Sequence, residues 1–372
     1  MKTKFYLFFA AIFIAGISFV SCDKDDTNSG GGGGGGNDNQ PEAPIELKPG
    51  VRHYFTSASY GDIIQLTIDG DNSTYSFINE TTGETGSGPL SVSSNPKLNG
   101  IFQTVIAGKT YHTIELPGVA VISTLKLGNT LNSICFGISS DIHVENDYTM
   151  EDYAGKYLFL NFDDSEKDPD YTLGGYEVFN NGAYTWTFIE WEYNQPIYAG
   201  EGSGTFYFAG EDNSRVEYVE SDGYSGFGSV LPGKLFFMDN GEGYGFAVGV
   251  ETPSAPITKS QIAGSYKFVS VISHGVTSVG YYSLPATGNN VTFYETDGEG
   301  NVYDSADEGA VVHYYDRIPS LNNVFKLVST VEIEGYQANN TSYFILLPGE
   351  MMMYFALDSG EVVAYGLALK VN

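Results

Sequence analysis

The tripeptide Leu-Pro-Gly stands at 116–118, 231–233 and 347–349, and each copy opens a similar run: "LPGVAVISTL", "LPGKLFFMDN" and "LPGEMMMYFA". Spacings of 115 and 116 residues mean that one structural unit is used three times. The tripeptide itself is turn chemistry. Pro pre-sets φ at the first central position of a turn, and Gly supplies the positive φ that a type II turn needs at the second. The Leu ahead of it ends a strand and is expected to plug a core. The turn is expected between the fifth and sixth strands of every unit.

A second marker has nearly the same period. "TMEDYAGKYLFLNF" (149–162) and "TKSQIAGSYKFVSV" (258–271) align through Ala-Gly pairs 109 residues apart, with Tyr and Phe following at equal offsets. Thr258 with Gln261 matches a capping box, and Thr149 with Asp152 comes close to one. Each predicts a single helical turn that leads into a strand. The first unit has no such opening.

Between the markers the pattern is strand. Runs such as "STYSFIN", "GTFYFAG", "SRVEYVE" and "VFKLVST" are rich in β-branched and aromatic residues and are bounded by Gly, Asn and Asp. Beyond residue 22 no segment sustains helical periodicity. The expectation is an all-β chain of three tandem antiparallel β domains, at 51–146, 147–254 and 255–372. Each is a small barrel or sandwich of seven to eight strands, and "ETPSAP" punctuates the second boundary. The "AGxYxF" opening followed by a meander resembles lipocalin-like β domains, in which Gly-x-aromatic begins the first strand. That resemblance implies barrels.

The first 21 residues stand outside this fold. "MKTK" is a basic start and "FYLFFAAIFIAGISFV" an apolar run, as in a secretory signal, and the run is short for a spanning helix. "FVSC" (19–22) resembles a bacterial lipobox, with Phe19 where an aliphatic residue is more usual. The resemblance implies a lipid on Cys22; the alternative is a plain signal cleaved near Ser18 or Ser21. The "DKDD" that follows resembles the export signal of surface-exposed outer-membrane lipoproteins of Bacteroidota type. It implies a protein held by its lipid on the extracellular face of the cell outer membrane. Residues 22–50, with the Gly run 30–36, read as a flexible tether spanning about 25–30 Å.

Composition excludes several classes. A formal charge of −29, nearer −31 once Lys2 and Lys4 leave with the signal, makes nucleic acid and anionic lipid surfaces poor partners. Two cysteines, Cys22 and Cys135, give no disulfide framework and no Cys-based zinc site. Cys135 sits in an alternating apolar run and reads as a small buried hydrophobe. No Gly-x-Ser-x-Gly, His-Glu-x-x-His or P-loop is present, and the five histidines have no ligand spacing. Nothing points to an enzyme.

The acidic loops offer no strong metal motif. Asp69, Asp71, Ser73 and Glu80 have calcium-loop offsets, as do Asp297, Glu299, Asn301 and Glu308, but both sets lack the Gly at position six. Asp164, Glu166, Asp168 and Asp170 lack the closing Glu. Hairpin turns account for them, leaving room only for a weak surface calcium site and no resident cofactor. "DSA" at 304–306 resembles a short O-glycosylation signal with Ser305 as acceptor.

Both tryptophans fall in "YTWTFIEWEYNQPIYAG" of the second unit. Strand alternation puts Trp186, Phe188 and Glu190 on one face and Thr187, Ile189 and Trp191 on the other, with Trp186 expected inside and Trp191 outside. Trp191 beside Tyr193, Asn194, Gln195 and Tyr198 is a surface suited to sugars, since rings stack on pyranose faces while amides bond hydroxyls. The alternative is that these rings cover an interface between units. Tyr224 and Phe227, in "ESDGYSGFGS", form a second aromatic cluster. The expected function is non-catalytic capture of an extracellular nutrient, glycan first, for delivery to an outer-membrane transporter of the TonB-dependent type. Capture of a bulky corrinoid or haem, or an adhesive or structural role, are the alternatives.

Overall fold

A computed structural model describes residues 45–371 apart from 107, 126–132, 143–147, 163–171, 193–194, 210–214, 241–244, 273–275, 298–301, 305–310, 334–335 and 359–360. Barrel one comprises β1 (Val51–Ala58), β2 (Ile63–Asp69), β3 (Thr74–Asn79), β4 (Thr85–Val92), β5 (Phe102–Ile106), β6 (Lys109–Leu116), β7 (Ala120–Leu125) and β8 (Ser133–Ser139). Barrel two comprises β9 (Gly155–Phe162), β10 (Leu173–Val178), β11 (Ala183–Glu192), β12 (Gln195–Ala209), β13 (Arg215–Glu220), β14 (Ser225–Leu231), β15 (Leu235–Asp239) and β16 (Phe246–Glu251). The third unit comprises β17 (Gly264–Ile272), β18 (Val276–Leu284), β19 (Thr292–Asp297), β20 (Val302–Asp304), β21 (Val311–Arg317), β22 (Val324–Ile333), β23 (Tyr336–Leu347), β24 (Met351–Asp358) and β25 (Glu361–Leu369).

The chain is all-β, and every pairing in these sheets is antiparallel between neighbours. β8 closes on β1 and β16 on β9, giving two closed eight-stranded barrels. Among the described residues the third unit is a nine-stranded sheet that ends at β20 and β21 without closing. The unit that lacks the lipocalin-like opening therefore closes, and one of the two that carry it does not.

Sequence patterning passes over the second strand of each unit, and over the short β20 of the third as well. In β10 and β18 the reason is glycine. A Cβ on Gly174 would stand 2.2 Å from the Phe159 ring, and one on Gly280 would stand 1.8 Å from the Tyr294 carbonyl oxygen. Close approach requires Gly where propensity argues against a strand. The added strands also move the Leu-Pro-Gly turn. It lies between the sixth and seventh strands of units one and two and between the seventh and eighth of unit three, not between the fifth and sixth.

The turns themselves have the expected form. Gly118, Gly233 and Gly349 adopt φ of 74°, 68° and 77°. The i+3 amides of Val119, Lys234 and Glu350 donate to the carbonyls of Leu116, Leu231 and Leu347 at 2.9, 3.1 and 3.2 Å. Each glycine has a second task. The Gly118 N–H donates to Tyr54 Oη at 3.2 Å, and the Gly233 and Gly349 amides lie close to the Tyr157 and Tyr266 hydroxyls. Those tyrosines sit near the start of each unit's first strand, so the two sequence markers meet in space.

Alternation along the strands gives every barrel two faces, and both are used. Inward residues fill separate cores, such as Tyr54, Leu66, Tyr75 and Phe77 in barrel one and Tyr157, Phe159, Tyr176 and Phe236 in barrel two. Phe268, Phe344, Met352 and Tyr354 do so in the third unit. Outward residues of the first and last strands meet in one common core. It holds Phe55, Phe136 and Ile138, then Phe162, Phe237, Phe246 and Val248, then Val269, Met353, Tyr365 and Leu367. Phe55 packs on Phe237 at 5.4 Å and Phe162 on Tyr365 at 5.3 Å. Leu231 and Leu347 lie in this core and Leu116 packs against it. The leucines thus plug the space between barrels, not the barrel each belongs to.

One ion pair bridges each pair of units. Arg215 grips Glu80 at 2.8 and 3.2 Å and lies 4.0 Å over the Phe55 ring, Lys234 meets Glu350 at 2.6 Å, and Lys97 meets Asp304.

Candidate functional site

The helical turns Met150–Tyr153 and Lys259–Ile262 stand where sequence places them, capped by Thr149 and Thr258. Each closes the end of its unit beside the first-strand tyrosine: Tyr157 Oη donates to the Tyr153 carbonyl and Tyr266 Oη to that of Ile262. Among the described residues no such turn covers the opposite end of barrel two, called the mouth below. Between the two lies an apolar void of about 10 Å³, lined by Tyr153, Tyr157, Tyr176, Phe206 and Phe236 among others. That is room for about one water. A corrinoid or haem does not fit there.

The mouth is built from a ladder of rings on glycines. Across β11 and β12, Tyr184 pairs with Gly204, Trp186 with Gly202 and Phe188 with Gly200. A Cβ on Gly202 would stand 2.3 Å from the indole, and one on Gly204 would stand 2.5 Å from Tyr184 Oη. The absent side chains let the rings lie flat on the opposing strand. Exposure grows along the ladder: Tyr184 is 1% exposed, while Trp186 and Phe188 are half-buried with centroids 4.6 Å apart. Beyond Gly204, β12 loses its β13 partner but stays paired to β11 as far as Gln195, so a two-stranded ribbon extends past the rim.

Polar groups converge on the same end. Glu220 pairs with Gly204 and follows the inward Tyr218 by two residues. Its carboxylate accepts from Tyr184 Oη at 3.3 Å and lies next to the Trp186 indole. Burial raises its pKa above the usual carboxylate range, the nearby Trp186 indole opposes this without a formed hydrogen bond, and repulsion from Asp222 adds to the rise. Tyr218 Oη donates to the Asp239 carbonyl at 2.7 Å, and the 39%-exposed Tyr224 ring stands 6.3 Å from the Tyr218 ring. Asn240 Nδ2 donates to Asn161 Oδ1 at 2.6 Å; these residues follow the inward Met238 and Phe159 by two. The rim therefore offers ring faces, a carboxylate and an amide pair.

The residues named from sequence scatter around this rim. Trp191 lies in β11, paired with Pro196; Gln195 pairs with Glu192, and Tyr198 with Ile189. These backbones occupy the protruding ribbon, and their side chains lie outside the described residues. Tyr193 and Asn194 lie outside the described residues altogether. Trp186 is inside as expected, packed on the barrel core, whereas Ile189 on the other face joins the core between barrels. Tyr224 reaches the mouth, but Phe227 faces out of the barrel, so these two form no common patch.

Sequence reasoning missed Glu220, Asn161 and Asn240. Alternation in "SRVEYVE" places Glu220 on the face of Tyr218, yet among 46 acids nothing marks it.

Other candidates resolve locally. Asp69 accepts from the amides of Asp71 and Asn72 at 3.1 and 3.0 Å, and Glu80 pairs with Arg215, so the first calcium-like loop is a hairpin turn. Cys135 is buried and its thiol pKa is raised by burial to about 12. Cys22, Ser305, Asp164, Glu166, Asp168, Asp170, Glu299, Asn301 and Glu308 lie outside the described residues. Among the described residues no group of three or more His, Cys, Asp or Glu gathers to hold a metal. The chain matches no protein-family profile and no curated protein sequence.

Proposed function

We propose that this protein is a non-catalytic, lipid-anchored surface protein that captures an extracellular ligand, a glycan first, at the mouth of barrel two. The observation that carries the reading is the graded ladder of Tyr184, Trp186 and Phe188 ending beside Glu220, Tyr224 and the Asn161–Asn240 pair. Stacking surfaces next to fixed acceptors and amides suit the apolar face and hydroxyl edge of a pyranose. The reading also draws on the signal, the lipobox-like Cys22 and the Gly-rich tether, which imply the outer face of the outer membrane and delivery to a TonB-dependent transporter.

The spacer alternative is weakened by the common core. Repeats that serve length are strung end to end, whereas these three bury their faces against one another. Capture of a corrinoid or haem requires the rim, since the void below it holds about one water. The test is the melting temperature of the purified protein against neutral polysaccharides, cobalamin and haem. A ligand that binds the native state raises the transition by mass action. The expected result is a rise with a glycan that Tyr224→Ala and Glu220→Gln each reduce. A rise with cobalamin or haem alone replaces the glycan, and no shift with any of them rejects capture of these ligands.

A further inference from the structure

The outer wall of barrel two carries a feature that the mouth does not explain. Register pairs Tyr207 on β12 with Glu217 on β13, and Glu217 with Phe227 on β14. All three point away from the barrel, because Phe206, Val216 and Tyr218 between them are buried in its interior. Tyr207 is 47% exposed and Phe227 39%. Two rings and a carboxylate thus stand in one row, straight across three strands. Both rings keep much of their surface in water, and rings gathered in a row on an outer sheet face are the kind of apolar patch that a partner covers.

The spacing and chemistry of the row limit what that partner is. Neighbouring strands lie about 4.8 Å apart, so Tyr207 and Phe227 are roughly 10 Å apart with Glu217 midway. This is close to the disaccharide repeat of an extended, ribbon-like β-1,4-linked chain, in which every second sugar presents the same face. Each ring then stacks on one of two alternate pyranoses, and the carboxylate between them accepts from hydroxyls of the middle sugar. The flanking row, Thr205, Val219 and Ser225, adds two hydroxyl side chains. At the β12 end, the turn whose Gly182 carbonyl accepts from the Phe206 amide carries another exposed ring, Phe179. Arg215, two residues before Glu217 on β13, is held by Glu80. With that charge committed and a net charge of −29 on the chain, uronate or sulfated chains are disfavoured and an uncharged chain is selected.

From this geometry we infer that the Tyr207–Glu217–Phe227 row is a second binding surface, a platform for an extended, uncharged β-1,4-linked polysaccharide. The inference rests on the glycan reading and adds to it: the wall holds the polymer while the mouth takes a shorter stretch.

The test is affinity electrophoresis of the full chain in gels containing hydroxyethylcellulose, alongside melting shifts with cellobiose. Tyr207→Thr and Phe227→Thr keep strand propensity at exposed positions, so folding is preserved and is checked by an unchanged melting temperature. Each is expected to weaken retardation by the polymer at least fivefold, and the pair to leave only what the mouth gives, while the shift with cellobiose, too short to span both rings, stays as in the parent. Glu217→Lys is expected to weaken retardation as well. If the double variant is retarded like the parent, the platform is wrong although glycan capture stands. If the parent itself responds to neither polymer nor oligosaccharide, this inference and the glycan reading fall together.

Discussion

Barrel one and barrel two close the same end in different ways. In barrel two the Gly-x-Tyr opening follows a capped helical turn, and the Tyr157 hydroxyl bonds that turn's Tyr153 carbonyl close to the Gly233 amide. In barrel one the glycine position is taken by Arg52, two residues before Tyr54 as Gly155 is before Tyr157. Arg52 forks onto Glu115 at 2.5 and 3.0 Å, and its Nη1 donates to the carbonyls of Lys48, Pro49 and Gly50. Tyr54 Oη adds a bond to Glu115 at 2.6 Å. The extended segment before β1 replaces the helical turn, and a buried ion pair holds it. The tyrosine-to-turn contact is common to all units; what seals the barrel is interchangeable.

That comparison makes different ends fail differently. The largest effect is expected for Arg52→Met, which leaves the 2%-exposed Glu115 uncompensated and should cost about 3–5 kcal/mol in urea unfolding. The double variant Arg52→Met/Glu115→Leu should recover most of that loss, because an apolar pair leaves no buried charge. An equal loss in the double variant would mean that packing, not charge, seals barrel one. Next is Tyr54→Phe, which removes a bond to a buried carboxylate and should cost about 2 kcal/mol. Tyr157→Phe and Tyr266→Phe lose only neutral partners and should cost about 1 kcal/mol each.

Acid should distinguish barrel one again. Burial lowers the His112 pKa to about 4. The folded state then binds fewer protons than the unfolded state, so stability is full above the ordinary pKa of 6.5 and falls as pH drops towards 4. A loss on the order of 1–2 kcal/mol across that window, flattened in His112→Gln, is expected in denaturation at stepped pH. The smallest effects belong to the helical turns. Thr149→Ala and Thr258→Ala remove the caps and should each cost about 1 kcal/mol by thermal melting. Among the described residues barrel one has no such turn ahead of its first strand.

Much of the architecture is legible in the chain because turns and caps are local. Leu-Pro-Gly specifies its own φ values, and Thr258 with Gln261 announces a helical turn within four residues. The second strands are less legible, since Gly174 and Gly280 are explained only by the ring and the carbonyl they make room for. At the candidate mouth, Trp186 is readable as an inward ring. Glu220 and the Asn161–Asn240 pair are not, because strands distant in sequence bring them to one rim.

The sequence by itself determined the triplication, the all-β class and the type II turns, all of which follow from period and from backbone chemistry within a few residues. Only the tertiary structure decided that the third unit stays open and that Leu231 and Leu347 plug a core between barrels. It alone decided that Tyr207, Glu217 and Phe227 form one row. Closure, shared burial and cross-strand rows depend on register and on which outward faces meet. Alternation tells two faces of a strand apart, but it does not say which of them another barrel will cover.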